Sequence, residues 1–157
     1  MKYNAAFYRL LLMAMWVTSL ACADGLSTAF ADIEVGNVVL GRPQKVLDQS
    51  GRSLTIKNLG GSPVRVVIDV LVPQPTQLRP GAQPIPDVRW LEARPNVLNL
   101  EAHEEKECEI TLRVPRKKTF RSQYYQAMIW SHGVPSDSPG MTISAGLLSR
   151  VRFRTKE

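Results

Sequence analysis

The sequence predicts an all-β protein, a single antiparallel β-sandwich, on three observations. Beyond Asp32 the apolar residues recur at every second position, the period of a strand. Clusters of Gly, Pro and Asn punctuate these runs at short intervals. No stretch between them has the spacing of an amphipathic helix, so sheet must pack on sheet.

The elements follow in chain order. Lys2 and Arg9 precede the apolar run "LLLMAMWVTSLA", which has the make-up of a signal peptide and is shorter than the ~20 residues of a membrane span. Two small-x-small steps follow it, Ala21-Cys22-Ala23 and Ala29-Phe30-Ala31. The second is preferred because strand-like sequence starts directly after it. Residues 1–31 are thus expected to be a cleaved signal peptide and 32–157 the β-sandwich domain, in an exported protein of the periplasm or cell surface. Lipid anchoring at Cys22 is the less favoured alternative.

Removing residues 1–31 from the 157 leaves 126, one domain with enough chain for a hydrophobic core. The 20 Lys+Arg of the full chain lose Lys2 and Arg9, and the 14 Asp+Glu lose Asp24, so the domain carries a net charge of +5. That is too little for a nucleic-acid-binding tail, and the mature segment contains no transmembrane stretch. Cys108 is its only cysteine, so no internal disulfide is expected.

The clearest strand is "EKECEITLRVP". Cys108, Ile110, Leu112 and Val114 alternate with Glu107, Glu109, Thr111 and Arg113, giving one face to the core and one to water. "SLTIKNLGG" repeats the pattern with Leu54 and Ile56 and stops at Gly60-Gly61. In "PVRVVIDVLVP", apolar residues occupy both faces between two prolines, which predicts a central strand. Shorter strands are expected at "IEVGNVVL", "VRWLEA" and "NVLNL", and two more in "SQYYQAMIWS" and "MTISAGLLSRVRFRT". The five-proline stretch from Pro73 to Pro86 cannot enter a sheet interior; it reads as an extended connection between the sheets or a binding loop. Trp90 and Trp130 are expected to plug the core from opposite sheets, with an exposed sugar platform as the rival. Tyr124 or Tyr125 is placed like the residue of a tyrosine corner.

The succession "SLTIKNLGGSPVRVVIDV", "WLEARPNVLNLEAHEEKECEITLRVP" and "YYQAMIW" resembles bacterial immunoglobulin-like envelope domains, in particular the amino-terminal domain of periplasmic pilus chaperones. The resemblance implies an immunoglobulin-like sandwich. It also raises a chaperone-like role in which a strand is lent to a subunit: Met141, Ile143, Ala145, Leu147, Val151 and Phe153 alternate as a donor strand requires. The sequence departs from those chaperones in having room for one sandwich, in the short "GVPSDSPG" loop, and in offering only Arg42 on the first strand toward their anchoring Arg–Lys pair.

No catalytic constellation is visible. His103 near Glu105 and Glu107 fits a solvated turn better than a metal site, though a metal there would imply a small hydrolase. Cys108 shares the core parity, and no nucleophile elbow or phosphate loop occurs. Catalytic, cofactor and metal residues are therefore expected to be none. Two basic clusters remain as candidate partner-binding sites. One is the turn "RVPRKKTFR", with Arg116, Lys117 and Lys118. The other is the ladder Arg150, Arg152, Arg154 and Lys156, read as facing an envelope protein or anionic polymer, or as guarding an exposed strand edge. The expected function is a non-catalytic binding or structural module of an envelope assembly.

Overall fold

The computed structural model describes residues 25–134 and 146–157. The expected leader segment up to residue 24, and Met141, Ile143 and Ala145 of the expected last strand, lie outside the described residues. What is described forms two facing sheets, as the alternation required.

The first sheet centres on β9 (Glu105–Leu112), with β1 (Leu26–Ser27), β4 (Leu54–Asn58), β3 (Gln44–Val46) and β7 (Leu91–Arg94). β3 and β4 run antiparallel to successive stretches of β9, and β7 pairs with it as well. The predicted parity of β9 holds: Cys108, Ile110, Leu112 and Val114 are all fully buried. Each such side chain contributes about 1.5–3 kcal/mol of burial, so a one-residue slip would forfeit the whole face.

The second sheet has the order β2 (Asp32–Val38), β11 (Gly146–Thr155), β10 (Tyr124–Val134), β5 (Val64–Leu71), β8 (Val97–Leu100). β5 is flanked on both edges, by β10 and β8, and so is central as predicted; Val66 and Ile68 turn into the core, while Leu71 on the other face is exposed. The proline-rich stretch keeps largely to the second sheet, and the chain crosses to the first sheet only between β6 (Gln83–Pro84) and β7. The Gln126 side chain accepts from the Arg79 backbone N–H at 2.9 Å and donates to the Gln77 carbonyl at 2.8 Å. The chain then pairs with β10 through β6 (Gln83–Pro84) and sinks Ile85 into the core.

Four further expectations are corrected. The sandwich does not begin at Asp32: β1 pairs with β4, and Phe30 is fully buried in the core. Trp90 lies in the core, but Trp130 does not. Tyr125, Ala127 and Ile129 take the inward positions of β10, so Trp130 falls on the outer face and lies over Gly146, where an added Cβ would sit 2.3 Å from the ring. Neither tyrosine ties back to nearby backbone among the described residues. Tyr124 Oη accepts from Arg152 at 2.9 Å, while the Tyr125 ring packs in the core. Finally, β11 is no exposed edge from Arg150 to Phe153, because β2 runs parallel beside it.

Candidate anion-binding cleft

β2 changes the meaning of the cationic ladder. Val151 and Phe153 point inward, as the period of two demands, so Arg150, Arg152 and Arg154 point out. There they meet the first residues of β2. Arg150 Nη1 and Arg152 Nε each lie 3.0 Å from the Asp32 carboxylate, and Arg152 Nη1 lies 3.1 Å from Glu34. Burial pushes the Asp32 carboxyl up, but Arg152 and Arg150 outweigh it and hold the group below its ordinary range. The Arg154 guanidinium stacks on Tyr124 at 4.1 Å. Three rungs of the ladder are thus spent inside the fold.

The fourth rung is not. Lys156 lines a cleft of about 530 Å³ together with Arg42, Arg116, Lys117, Lys118 and Arg121; Val39, Leu40, Gly41 and Glu157 complete the wall. Each basic wall is held by a definable contact. The turn after β2 is drawn against the "PRKK" segment by the Gly41 N–H, which donates to the Val114 carbonyl at 2.7 Å. Gly41 has φ of 81°, and a Cβ there would stand 3.3 Å from Arg116 Cβ, so glycine suits both the turn and the close approach. The basic turn is pinned by Phe120, which meets Trp90 edge-on at 4.8 Å and Tyr125 at 6.5 Å. Lys156 is placed by its own N–H, which donates to the Val38 carbonyl at 2.9 Å.

Many surface cations meet carboxylates, as in Lys45 with Glu109, Arg89 with Asp87 and Arg94 with Glu92. Lys57, Arg65, Arg113 and Arg154 make no ion pair among the described residues, but they do not line this cleft. None of the six cleft cations is joined to a carboxylate among the described residues. Among the described residues, Glu157 is the only acidic side chain lining the cleft. Like charges held this close repel, and a bound anion relieves that repulsion.

Of the expected partner-binding residues, the structure brings Arg116, Lys117, Lys118 and Lys156 together and sets Arg150, Arg152 and Arg154 apart. It adds Arg42 and Arg121. Arg121 belonged to the same basic run in the sequence; Arg42 lies more than seventy residues from that run, and only the turn at Gly41 brings it there. Among the described residues no three His, Cys, Asp or Glu side chains gather as a metal site would need, and His103 lies exposed in the turn before β9. The Cys108 thiol is pushed up to about 11, chiefly by burial.

The architecture is that of immunoglobulin-like sandwiches of the PapD type, as the resemblance implied. A PapD-like domain of human CEP192 matches with a TM-score of 0.59 at 16% identity, covering 85% of this chain and 87% of that one. The Salmonella enterica complex of SafA pilin with the SafB chaperone matches at 0.55 and 14% identity, over 84% of this chain and 55% of that one. The E. coli chaperone DraB matches at 0.54 and 16% identity, over 84% and 56%. This chain therefore spans about half the length of the pilus-chaperone structures it matches. No family model matches the sequence, and neither does any curated protein.

Proposed function

We propose that this protein is an exported, non-catalytic binding module of a bacterial envelope assembly, and that it engages an anionic partner through the Arg42–Arg116–Lys118–Lys156 cleft. The observation that carries the reading is the segregation of charge. Six cations without carboxylate partners among the described residues share one cleft, while Arg150 and Arg152 of the ladder beside it are paired with Asp32 and Glu34. Four of those cations come from one turn and the other two, Arg42 and Lys156, from segments more than a hundred residues apart in sequence, which is an arrangement for meeting charge rather than for guarding an edge. The likeness to pilus chaperones, which is one of fold, is compatible with an envelope partner. The test is fractionation of the exported protein. Wild type should stay with the envelope at low salt and be released by added salt. The triple variant R116E/K117E/K118E should be released at all salt concentrations, and identical fractionation of the two proteins would sink the proposal.

A second reading, strand donation to a subunit, has one observation in its favour. β2 pairs with β11 only from Arg150 onward, so Gly146–Ser149 has β10 on one edge and no strand on the other among the described residues. The Arg150 N–H donates toward the β2 side, to Ala31. By the period of two, the Leu148 N–H points to the same, open side. Leu148→Pro removes that donor while sparing the pairing with β10. It should abolish capture of a partner strand without unfolding the domain; unchanged capture would exclude donation along this edge.

A further inference from the structure

The chemistry of the anion can be narrowed. We infer that the cleft takes a ligand bearing two or more closely spaced phosphoryl groups, an inference that rests on the anion-binding reading above.

The reasoning is one of charge density. A cleft of 530 Å³ is about 8 Å across, no wider than the ~8 Å Debye length at physiological salt. Salt therefore screens its exposed cations from one another only in part. Six cations against the side-chain and terminal carboxylates of Glu157 leave a local excess of about four positive charges. An extended acidic peptide places same-side carboxylates about 7 Å apart, so only one or two of its charges enter a space of this size. A phosphoryl group carries about −1.5 to −2 charges on three acceptor oxygens. Two adjacent phosphoryl groups thus match the excess within the available width.

The donor set fits the same ligand. Arg42, Arg116 and Arg121 present planar forks that hold two phosphate oxygens at once, while Lys117, Lys118 and Lys156 supply mobile point charges. The forks arise from separate segments, the turn at Gly41 and both ends of the basic turn. They can therefore approach a compact ligand from different sides, which a flat surface patch cannot do.

The experiment is calorimetric titration of the full chain with tripolyphosphate, inorganic phosphate, citrate and hexaglutamate at matched ionic strength. A parallel arm measures sedimentation with phosphatidylcholine vesicles, with and without a diphosphorylated lipid. Tripolyphosphate should bind at least about tenfold more tightly than inorganic phosphate, citrate or hexaglutamate. Arg116→Gln and Lys118→Gln, which lie on the exposed wall and should melt like wild type, should each weaken it by about tenfold, the value of one charge-assisted contact. Sedimentation that needs the diphosphorylated lipid and is reversed by tripolyphosphate identifies the source as a lipid headgroup. Tight tripolyphosphate binding with no such sedimentation identifies a soluble polyphosphate. If citrate or hexaglutamate equals tripolyphosphate, the phosphate inference is overturned while the anion site stands. If none of the four binds, both fall.

Discussion

Asp32 is where the fold and its charges are joined, and removing its carboxylate tests the account of the ladder. In Asp32→Ala the Arg150 and Arg152 guanidiniums each lose a charge-assisted bond of 3.0 Å, and Arg79 loses a longer contact of 3.4 Å. Such bonds contribute about 1.5–3 kcal/mol each when dry. The Asp32 side chain is 34% exposed and the two arginines 20–23%, so water recovers part of this and about 1 kcal/mol per bond remains. The repulsion between Arg150 and Arg152 is common to wild type and variant and cancels, and Arg152 keeps its Glu34 partner. The sum is about 2 kcal/mol, or about 7 °C in Tm for a domain of this size. Calorimetry at low salt measures it, and Asp32→Asn should fall between wild type and alanine. The dependence on pH has a definite sign. The folded carboxyl titrates below its ordinary 3.8, so its contribution is present above that value and is lost as the pH falls through the lower, folded one. The gap between wild type and Asp32→Ala should therefore close in acid. A Tm change under about 2 °C at neutral pH would place these pairs among weak surface contacts and refute the reasoning.

Further outcomes follow from single positions. R150E/R152E sets two new carboxylates against Asp32 and Glu34 and should destabilise more than Asp32→Ala; a variant that merely kept an edge charged would melt like wild type. Cys108 should react with a thiol reagent in denaturant and hardly at all in native buffer, and Cys108→Asp should cost more than about 4 kcal/mol in chemical unfolding, since the new charge is buried without a partner. A chain started at Asp32 should lose about 3–5 kcal/mol, because it lacks Phe30. For the same reason mass spectrometry of an exported form should find Asp24, not Asp32, as first residue. Gln126→Leu should cost about 1–3 kcal/mol and should speed proteolysis between Gln74 and Arg79, whose backbone the Gln126 amide holds.

The placing of the first boundary failed at Phe30 because a cleavage motif and a core aromatic look alike in a short run of Ala and Phe. Only the pairing of Leu26 with Asn58 tells them apart. The size of Trp130 suggests a core residue, but the alternation along β10 gives the inward position to Ile129. The ladder on β11 was legible as one face of a strand, but its neutralisation was not, since Asp32 and Glu34 lie more than a hundred residues earlier and reach it only through the parallel pairing of β2.

What the sequence determined by itself was the set of local periods: which residues of β4, β5 and β9 turn inward, where glycine and proline end a strand, and hence the sandwich class. Those follow from backbone geometry, in which side chains alternate whatever the partner strand is. The tertiary structure alone decided which strands became neighbours, and with them the fate of each charge. Identical arginines became structural beside Asp32 or available beside Gly41, because an ion pair depends on distance in space, which falls off within a few ångströms and bears no relation to distance along the chain.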